Sequence, residues 1–492
     1  MRLKNKAILF TAFLILRGIG SLFASDFELD YVFNEKWEYS WIPRTYTVDE
    51  AFTHLGSAGF LNGAEDIFAA SDGSLYIADT GNHRIVKLNS DFSVAGTYYG
   101  PDDSPMNGPR GIFVDDDGDM FIADTENGRI LHLGPGGEYV EEFTQPDSQL
   151  FSEEYAFRPV KVAVDSLGFL YILNRDDYHG FITMDSMNRF RGYLAPTRLE
   201  FSLKQALVRR FASKEQKNQL AKALPPYHSN FYMSQDGSLY TTTVFTPHDQ
   251  IKRINAVGSN TYTGMIQETS SFMGFTTGTY SYFGEKLTLD KSEQVVPMFA
   301  DVTVDEKGIV TAIDSATQKI YQYDQEGRLL AVFGGPGETR GRFKSLSSIT
   351  ILEDGRLAVL DRELNTLQIF KPNLFISLVH NAISLQYQGR YDEAFEPWQQ
   401  VININPNYNI ALSSMAKLSF KQEDWKASVD RYRDAEDKSG YSEAFAEYRK
   451  SLFRNYFFAA VLIVIALSVI LVKVFAMAKR KADSILLKMI QG

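Results

Sequence analysis

Aspartate recurs at one position of a repeated pattern, and its carboxylate is the first group in this sequence that could do chemistry. Asp79, Asp124 and Asp314 each close a short apolar run, and Arg84 and Arg129 follow the first two at the same interval. Such carboxylates could hold a ligand, or they could accept hydrogen bonds from their own loops, as short acidic side chains in turns do. We interpret them as structural, and we expect the arginines to pair within a repeat or between neighbours.

Cysteine is absent from the 492 residues, which excludes disulfides, thiolate metal sites and a cysteine nucleophile. A zinc centre would need several converging histidines. The seven histidines are scattered along the chain: His54, His83, His132, His179, His228, His248 and His380. Neither a G-x-S-x-G serine elbow nor a phosphate-binding glycine loop is present. The sequence therefore favours no catalytic residue and no metal or cofactor, with calcium kept open.

Six glycine turns, each between two apolar runs, define the repeat. They lie at Gly73, Gly118, Gly168, Gly237, Gly308 and Gly355. The flanking runs have the period of two that is typical of strands, and glycine accepts the positive φ that tight turns need. Spacings of about 40–50 residues per copy suit one propeller blade. Two longer intervals contain predicted insertions at 195–226 and 268–297.

A single copy cannot bury its own apolar faces, so the copies must stack into a ring. The sequence predicts a mainly β fold, a six-bladed β-propeller over residues 36–371. The last copy offers only three strands and ends at Pro372. We expect residues 37–48, which precede the first blade, to supply the fourth strand of blade six and so remove an open sheet edge.

The stretches 78–85 (ADTGNHRI) and 123–130 (ADTENGRI) resemble the NHL repeat, in which Asn-His-Arg lies between the second and third strands of a blade. The resemblance is specific in the first two blades and weak in the third and fourth. It implies a propeller that binds its ligand or partner through blade loops. The candidate binding positions in these loops are Asn82, His83, Arg84, Asn174 and Arg175.

Propellers of this kind include enzymes. A gluconolactonase-like propeller holds a divalent cation with glutamate, asparagine and aspartate side chains from separate blades. Glu65, Asn174 and Asp361 are conceivable counterparts, although nothing in their spacing singles them out. The preferred prediction is a non-catalytic binding or assembly protein. The alternative is an extracellular metal-dependent hydrolase or lyase.

Beyond Pro372 the apolar period changes from two to nearly four, which indicates helices. The stretch 389–412 resembles a tetratricopeptide repeat, and we expect residues 373–455 to form two such repeats and a capping helix. Residues 456–478 are uncharged apart from one lysine, and they are long enough to cross about 30 Å of hydrocarbon as a transmembrane helix. A basic tail, 479–492, follows.

Residues 1–24 resemble an export signal, with three basic residues ahead of an apolar stretch. With the basic flank after the apolar helix, they predict a cell-membrane protein with one span, an extracellular propeller and helical module, and a cytoplasmic tail. The net charge of −11 argues against nucleic acid as a partner. The expected partners are the membrane and a protein, for example a membrane transport complex, with a carbohydrate or peptide ligand. By analogy, the setting is a bacterial carbohydrate-uptake system.

Overall fold

The computed structural model describes residues 29–33, 38–151, 155–197, 226–234, 236–264, 266–272, 275–285, 287–290 and 293–490. The expected export signal at 1–24 and almost all of the first insertion at 195–226 lie outside these residues. The chain divides into two compact units, Met1–Gln388 and Gly389–Gly492. Among the described residues, the first unit contains the sheets and one α-helix, and the second is helical.

Short strands joined by tight turns make up most of the first unit, as the period of two predicts. In chain order they are β1 (Asp30–Phe33), β2 (Tyr39–Ile42), β3 (Tyr46–Phe52), β4 (Asp66–Ala69), β5 (Leu75–Asp79), β6 (Arg84–Leu88), β7 (Val94–Tyr98), β8 (Pro109–Val114), β9 (Met120–Asp124), β10 (Arg129–Leu133), β11 (Tyr139–Phe143), β12 (Pro159–Val164), β13 (Leu170–Asn174), β14 (Phe181–Met184), β15 (Phe190–Leu194), β16 (Tyr227–Met233), β17 (Leu239–Val244), β18 (Ile251–Ile254), β19 (Ile266–Phe272), β20 (Phe275–Tyr282), β21 (Leu287–Asp290), β22 (Glu293–Val295), β23 (Phe299–Val304), β24 (Val310–Asp314), β25 (Lys319–Tyr323), β26 (Leu329–Gly334), β27 (Leu346–Ile351), β28 (Leu357–Asp361) and β29 (Thr366–Pro372).

Consecutive antiparallel strands form the six blades of a propeller. Blade one is β4–β7, blade two is β8–β11 and blade three is β12–β15. Blade four is β16–β18, blade five contains β23–β26, and blade six is β27–β29 with β3. The predicted fold class, a mainly β six-bladed propeller followed by helices, is confirmed. Two hairpins, β19–β20 and β21–β22, occupy the region of the insertion expected at 268–297.

A glycine with positive φ closes the turn between the first two strands of the best-matched repeats. Gly73 has φ 81° and Gly118 has φ 88°, a region that a β-carbon disfavours. In the second turn, Asp115 accepts the backbone N–H groups of Asp117 and Asp119 at 3.0 and 2.9 Å. The side chain thus satisfies donors that have no strand partner.

The meander gives the ring two faces with different loops. Connections between second and third strands, and those from one blade to the next, lie on one side, which we call the loop face. Turns between first and second strands, and between third and fourth strands, lie on the opposite side, which we call the turn face. The connections between blades and the tight turns of the turn face are therefore separated by the thickness of the ring.

Apolar side chains on both sides of each sheet fill the space between blades. Between blades one and six, for example, Ile77 and Leu88 pack in one cluster with Leu360 and Ile369, and all four are fully buried. A sheet covered on both sides needs strands that are nearly continuous apolar runs. This burial is the main favourable term that holds the blades together.

A strand from the N-terminal side of the propeller closes blade six. β3 pairs antiparallel with β29, from Phe52 against Leu367 to Tyr46 against Pro372. The expected closing segment, 37–48, is wrong in its bounds, since only its last three residues lie in β3.

The earlier part of that segment belongs to a different blade. β2 pairs with β1, and β1 pairs with β26 at the outer side of blade five. Pro43, which lacks a backbone donor, lies between β2 and β3 and ends the first pairing. Asp30 Oδ2 then accepts both the backbone N–H and the hydroxyl of Thr45, at 2.5 and 2.6 Å, at the crossing to blade six. The proline explains why one continuous closing strand does not form.

Helix α1 (Leu374–Tyr387) follows β29 directly and packs on the turn face of blade five. The Nε2 atom of its buried His380 lies 3.2 Å from Oε1 of Gln322 in β25. Near the end of the helix, burial and then the carboxylate of Asp324, in the turn between β25 and β26, raise the pKa of Tyr387. The chain thus leaves the propeller on the turn face.

The second unit consists of helices that pack in sequence. They are α2 (Tyr391–Ile404), α3 (Asn409–Lys421), α4 (Trp425–Asp434) and α5 (Lys438–Ile490). Ser428 of α4 donates to the Ala416 carbonyl of α3 at 3.0 Å. A β-carbon on Gly440 would lie 2.3 Å from the ring of Tyr432, so α5 packs closely on α4. Because α1 belongs to the first unit, the module expected at 373–455 spans both units, and its tetratricopeptide-like nature stays a prediction.

Helix α5 runs without interruption for 53 residues. It joins the expected capping helix, the expected span at 456–478 and most of the tail at 479–492, because no glycine or proline follows Gly440 before residue 491. Its most apolar 18-residue window has a mean hydropathy of 2.9, and none of that window is buried. Within the described residues, it is the one helix long and apolar enough to cross a membrane.

Candidate functional site

The recurring aspartate of blade one lies at the centre of a hydrogen-bonded loop. Asp79 is fully buried at the end of β5, and its Oδ1 accepts the Asn62 N–H at 2.8 Å. Its Oδ2 accepts Asn82 Nδ2 and Arg84 Nε at 2.8 and 2.7 Å. Asn82 and Arg84 also donate to the Phe60 carbonyl, at 3.1 and 3.2 Å. One carboxylate therefore joins the loop after β5 to the chain that leads into the blade.

Blade two repeats this arrangement. Asp124 accepts the Asn107 N–H at 2.7 Å, and it accepts Asn127 Nδ2 and Arg129 Nε at 2.8 Å each. Arg129 also pairs with Glu142 at 2.7 Å. These contacts confirm that the recurring aspartates hold loops and that the arginines form ion pairs.

Blade five departs from the pattern. Lys319 stands where the first two blades have arginine, but its Nζ lies 2.7 Å from Oε2 of Glu285, a residue of the second insertion. The hydroxyls of Tyr31 and Tyr39 also donate to this buried carboxylate. Through their shared contacts with Glu285, Lys319 and the two tyrosines therefore link the second insertion and the N-terminal hairpin to blade five.

His83 links blade one to blade two. Its backbone is left-handed, with φ 54°, at a position where blade two has Gly128. This conformation is uncommon for residues other than glycine. Its ring Nδ1 accepts the backbone N–H of Gly108, which precedes β8, at 2.9 Å. The side chain thus compensates for the strained backbone with a hydrogen bond between blades.

The same link recurs at two other blade boundaries. Gln318 of blade five has φ 56°, and its Oε1 accepts the Leu346 N–H at 2.8 Å. Asn365 of blade six has φ 53°, and its Oδ1 accepts the Gly63 N–H at 2.7 Å. A left-handed residue with a side-chain acceptor is therefore a repeated connection, which we call the inter-blade link.

Asn174 and Arg175 stand at the corresponding corner of blade three. Asn174 Oδ1 accepts the Arg158 N–H at 2.5 Å, and its Nδ2 donates to the Ala156 carbonyl at 3.1 Å. Arg175 pairs with Glu126 of blade two at 3.0 Å, near the surface. The five candidate binding positions thus lie on the loop face of blades one and three. Their role in binding stays a prediction.

An open cleft of about 520 Å³ lies on the loop face between blades one and two. It is lined by His83, Tyr99, Ser104, Pro105, Met106, Asn107 and Asn127. Tyr99 is 53% exposed. With the histidine neutral, none of these side chains carries a charge, so the cleft suits an uncharged ligand. Two of the residues that line the cleft, His83 and Asn127, belong to the structural loops described above.

A layer of polar side chains, not predicted from the sequence, crosses the middle of the ring. Asp66, Lys161, Asp301 and Ser348 come from the first strands of blades one, three, five and six. Lys161 Nζ lies 2.6 and 2.7 Å from the two oxygens of Asp66. Ser348 Oγ lies 3.1 Å from Asp66 Oδ1 and 2.6 Å from Asp301 Oδ2. The single charged residues of three first strands, Asp66, Lys161 and Asp301, are the signal that would have revealed this layer.

Backbone donors complete the polar layer. The Ile112 N–H donates to Asp66 at 2.8 Å, and the Ile349 N–H donates to Asp301 at 2.9 Å. Five of the six blades are thereby joined at the axis. Burial raises the pKa of Asp301 to about 6, while the positive charge of Lys161 opposes the rise and the negative charge of Asp66 adds to it. With both carboxylates ionised the layer carries one uncompensated negative charge, which favours taking up a proton.

The residues compared with a cation site each have other partners. Glu65 pairs with Arg110 at 2.8 Å, and Asp361 accepts the Lys344 N–H at 2.6 Å. Asn174 holds the corner of blade three. In the part of the chain that the structure describes, no three histidine, aspartate or glutamate side chains are grouped to hold a metal ion. The metal-dependent alternative gains no support from these residues.

The histidines also have separate partners. His228 Nε2 lies 2.9 Å from the Ala195 carbonyl oxygen, and burial lowers the pKa of this histidine to about 3. His132 lies between Asp119 and Glu141, at 3.2 and 3.3 Å. These contacts give the two side chains structural roles at different blades.

The two faces of the ring expose different side chains. On the loop face, the aromatic residues exposed by 41–67% in the described chain are Phe60, Tyr99, Tyr178 and Phe245. On the turn face of blades three and four, the large exposed apolar residues are Leu167, Met187 and Val257. Exposed aromatic rings that share one surface are typical of binding sites, because they offer a large rigid contact area.

Comparison with known proteins identifies the repeat. A family model for the NHL repeat matches residues 61–88, which cover most of blade one and the chain leading into it. A search of curated proteins finds no match.

Several solved structures are similar in fold. A streptogramin B lyase is 13% identical, with 69% of this chain and 85% of that chain covered and a TM-score of 0.39. A gluconolactonase from Xanthomonas campestris is 11% identical, with 71% and 96% covered and a TM-score of 0.40. The WD40 propeller domain of Doa1 is 10% identical, with 67% and 97% covered and a TM-score of 0.38. The chain thus contains an NHL repeat within a six-bladed β-propeller.

Proposed function

We propose that this protein is a non-catalytic, membrane-anchored binding protein whose loop face receives a ligand or partner. The observation that carries the proposal is a set of four exposed aromatic rings, those of Phe60, Tyr99, Tyr178 and Phe245, which share the loop face. The chain leaves the propeller on the opposite, turn face through α1. A partner can therefore contact the loop face without displacing the helix that follows the ring.

The membrane part of the proposal rests on α5. Its apolar window is fully exposed, which is unfavourable in water and favourable in hydrocarbon. In this proposal, residues 456–478 cross the cell membrane, the propeller and helices are extracellular, and residues 479–492 are cytoplasmic. The tetratricopeptide-like helices then act as a stalk or as a docking surface for a protein such as a membrane transport complex. A carbohydrate-uptake system is the setting that we infer.

The five candidate positions have unequal parts in this proposal. His83 is exposed and Arg175 is partly exposed, so they can contact a ligand directly. Asn82, Arg84 and Asn174 are bonded into their loops and would act by positioning them. Substitution of the second group should lower stability as well as binding, whereas substitution of the first should affect binding more.

Site-specific photo-cross-linking in the cells that make the protein tests the proposed face. A benzophenone amino acid replaces Phe60 or Tyr178 on the loop face, and Leu167 or Val257 on the turn face as matched exposed controls. We expect adducts from the loop-face positions. Adducts that form only from the turn-face positions would contradict the proposal.

Protease treatment of intact cells tests the orientation separately. Added protease should degrade the propeller and leave a short fragment that contains the segment 479–492, detected with an antibody against that segment. A propeller that is protected in intact cells and cut only after lysis would reverse the proposed sides.

A further inference from the structure

The cleft between blades one and two holds two fixed hydrogen-bonding groups. Because Nδ1 of His83 accepts the Gly108 N–H, the neutral ring carries its proton on Nε2. Asn127 Nδ2 donates to the Pro105 carbonyl at 3.0 Å and to Asp124 at 2.8 Å, which uses both of its hydrogens. His83 Nε2–H and Asn127 Oδ1 are thus left as a fixed donor and a fixed acceptor, beside the hydroxyls of Ser104 and Tyr99 and the amide of Asn107, which also line the cleft.

An exposed aromatic ring completes this set of groups. Tyr99 follows β7 and lines the same cleft, and its hydroxyl contributes to raising the pKa of Arg84. Arg84 is itself fixed by Asp79 at 2.7 Å. His83 and Asn127 are held by hydrogen bonds of the repeat loops, so these two groups would lose little conformational freedom when a ligand binds.

We propose that this cleft binds a pyranose ring of a neutral carbohydrate. A pyranose has an apolar C–H face that can lie on the ring of Tyr99, and its hydroxyls both donate and accept hydrogen bonds. The lining offers no lysine or arginine to pair with a phosphate or a carboxylate. The volume of about 520 Å³ is within the usual range for small-molecule sites. This inference rests on the proposed function, because it names a ligand class for the same loop face.

Peptide recognition is less well matched by the same cleft. A peptide is commonly bound along a free strand edge or by pockets for its side chains. The lining residues come from loops and not from a strand edge, and Met106, the apolar residue beneath them, is only 3% exposed. Peptide binding is thus an outcome that the experiment must distinguish.

The test measures binding of the full chain in phospholipid nanodiscs, because maltoside detergents carry a sugar head group. A panel of neutral hexasaccharides, made of glucose, mannose, xylose, galactose or N-acetylglucosamine units, is titrated by calorimetry, with oligogalacturonate as the charged comparison. Tyr99→Ala removes the stacking ring, and Tyr139→Ala is the matched control, since Tyr139 is 51% exposed on the outer strand of blade two. We expect binding of at least one neutral oligosaccharide, weakened about tenfold by Tyr99→Ala and unchanged by Tyr139→Ala.

The variant His83→Asn removes the Nε2–H donor and should keep the fold intact. Asparagine occupies the equivalent left-handed position at residue 365 and makes the inter-blade link there, so the variant should keep its melting temperature. Loss of the Nε2–H donor should weaken the same oligosaccharide roughly threefold to tenfold. Absence of binding across the panel, or binding that Tyr99→Ala leaves unchanged, would overturn the inference. Protein adducts at the loop face without saccharide binding would do so too, while leaving the proposed function in place.

Discussion

Replacing Lys161 with methionine should destabilise the propeller through the polar layer at its axis. Methionine keeps most of the length of the side chain and removes its charge. The lysine Nζ lies within 2.7 Å of both oxygens of Asp66, whose side chain is 1% exposed. Its loss would leave Asp66 and Asp301 as two buried carboxylates without a compensating cation.

The size of the expected destabilisation follows from the burial of the Lys161–Asp66 ion pair. Breaking a buried ion pair by removing one partner costs about 3–5 kcal/mol. Unfolding entropy is about 2.1 cal/mol/K per residue, or about 0.7 kcal/mol/K for a propeller of roughly 330 residues. The variant should therefore melt about 4–7 °C lower near pH 7.5, measured by scanning calorimetry of the full chain in nanodiscs.

Lowering the pH should reduce the loss of stability that Lys161→Met causes. A carboxyl whose native pKa is raised binds its proton more tightly in the native state than in the unfolded chain, so protonation stabilises the fold. Asp301 already has a pKa of about 6, and removal of Lys161 should raise it further. We expect the difference in melting temperature between the variant and the natural protein to fall by about half at pH 5.

A matched control is Lys87→Met in blade one. Lys87 lies 3.8 Å from Asp72, whose side chain is 59% exposed, so this pair should contribute less than about 1 kcal/mol. A shift below 1 °C for Lys161→Met near pH 7.5, or an equal loss at both pH values, would refute the electrostatic account of the layer.

Other substitutions and conditions test separate features. Arg129→Met should lower the unfolding free energy by about 3 kcal/mol in urea titrations, because it leaves the buried Asp124 carboxylate without its cation, and an unchanged midpoint would contradict this. Burial lowers the pKa of His380 to about 3, so near pH 5 the unfolded chain binds a proton at this histidine and the native state does not. The native protein therefore loses stability between pH 6.5 and 5, and His380→Met should remove about 2 kcal/mol of that loss. An unaltered dependence of stability on pH would argue against this account. Gly111→Ala should destabilise by several kcal/mol or prevent folding, because its β-carbon would lie 2.5 Å from the Val160 carbonyl oxygen; a normal melting temperature would show that the strands can separate. Treatment with EDTA should leave the melting temperature within about 1 °C, because the described residues hold no cluster of metal ligands, and a larger fall would point to bound calcium.

The repeat was predictable because its signals are local. Turn glycines, alternating strands and the Asp-Asn-Arg set all lie within a few residues of one another. The missing strand of blade six was also visible, since a ring must close. The bounds of that strand were not, because Pro43 divides the N-terminal segment between two blades, and the choice of blade depends on contacts with distant strands such as β26 and β29.

The candidate sites show a similar division. His83 stood out because it belongs to the repeat, but its tautomer depends on Gly108 of the next blade. Asp66, Lys161 and Asp301 lie far apart in the sequence. The residues around each of them predict only a polar side chain in a strand. Only the circular arrangement of first strands brings them together, so strand periodicity does not predict their contact.

The way in which the ring closes also sets the order of its folding. β3 and β29 pair between residues as far apart as Phe52 and Leu367, and the cluster beneath them mixes Ile77 of blade one with Leu360 of blade six. During synthesis these surfaces stay uncovered until the last blade has been made. Contacts of such long separation form slowly, and open sheet edges and apolar faces invite aggregation in the meantime. A chain truncated before β29 should therefore depend on chaperones to remain in solution, although five of its blades are complete in sequence.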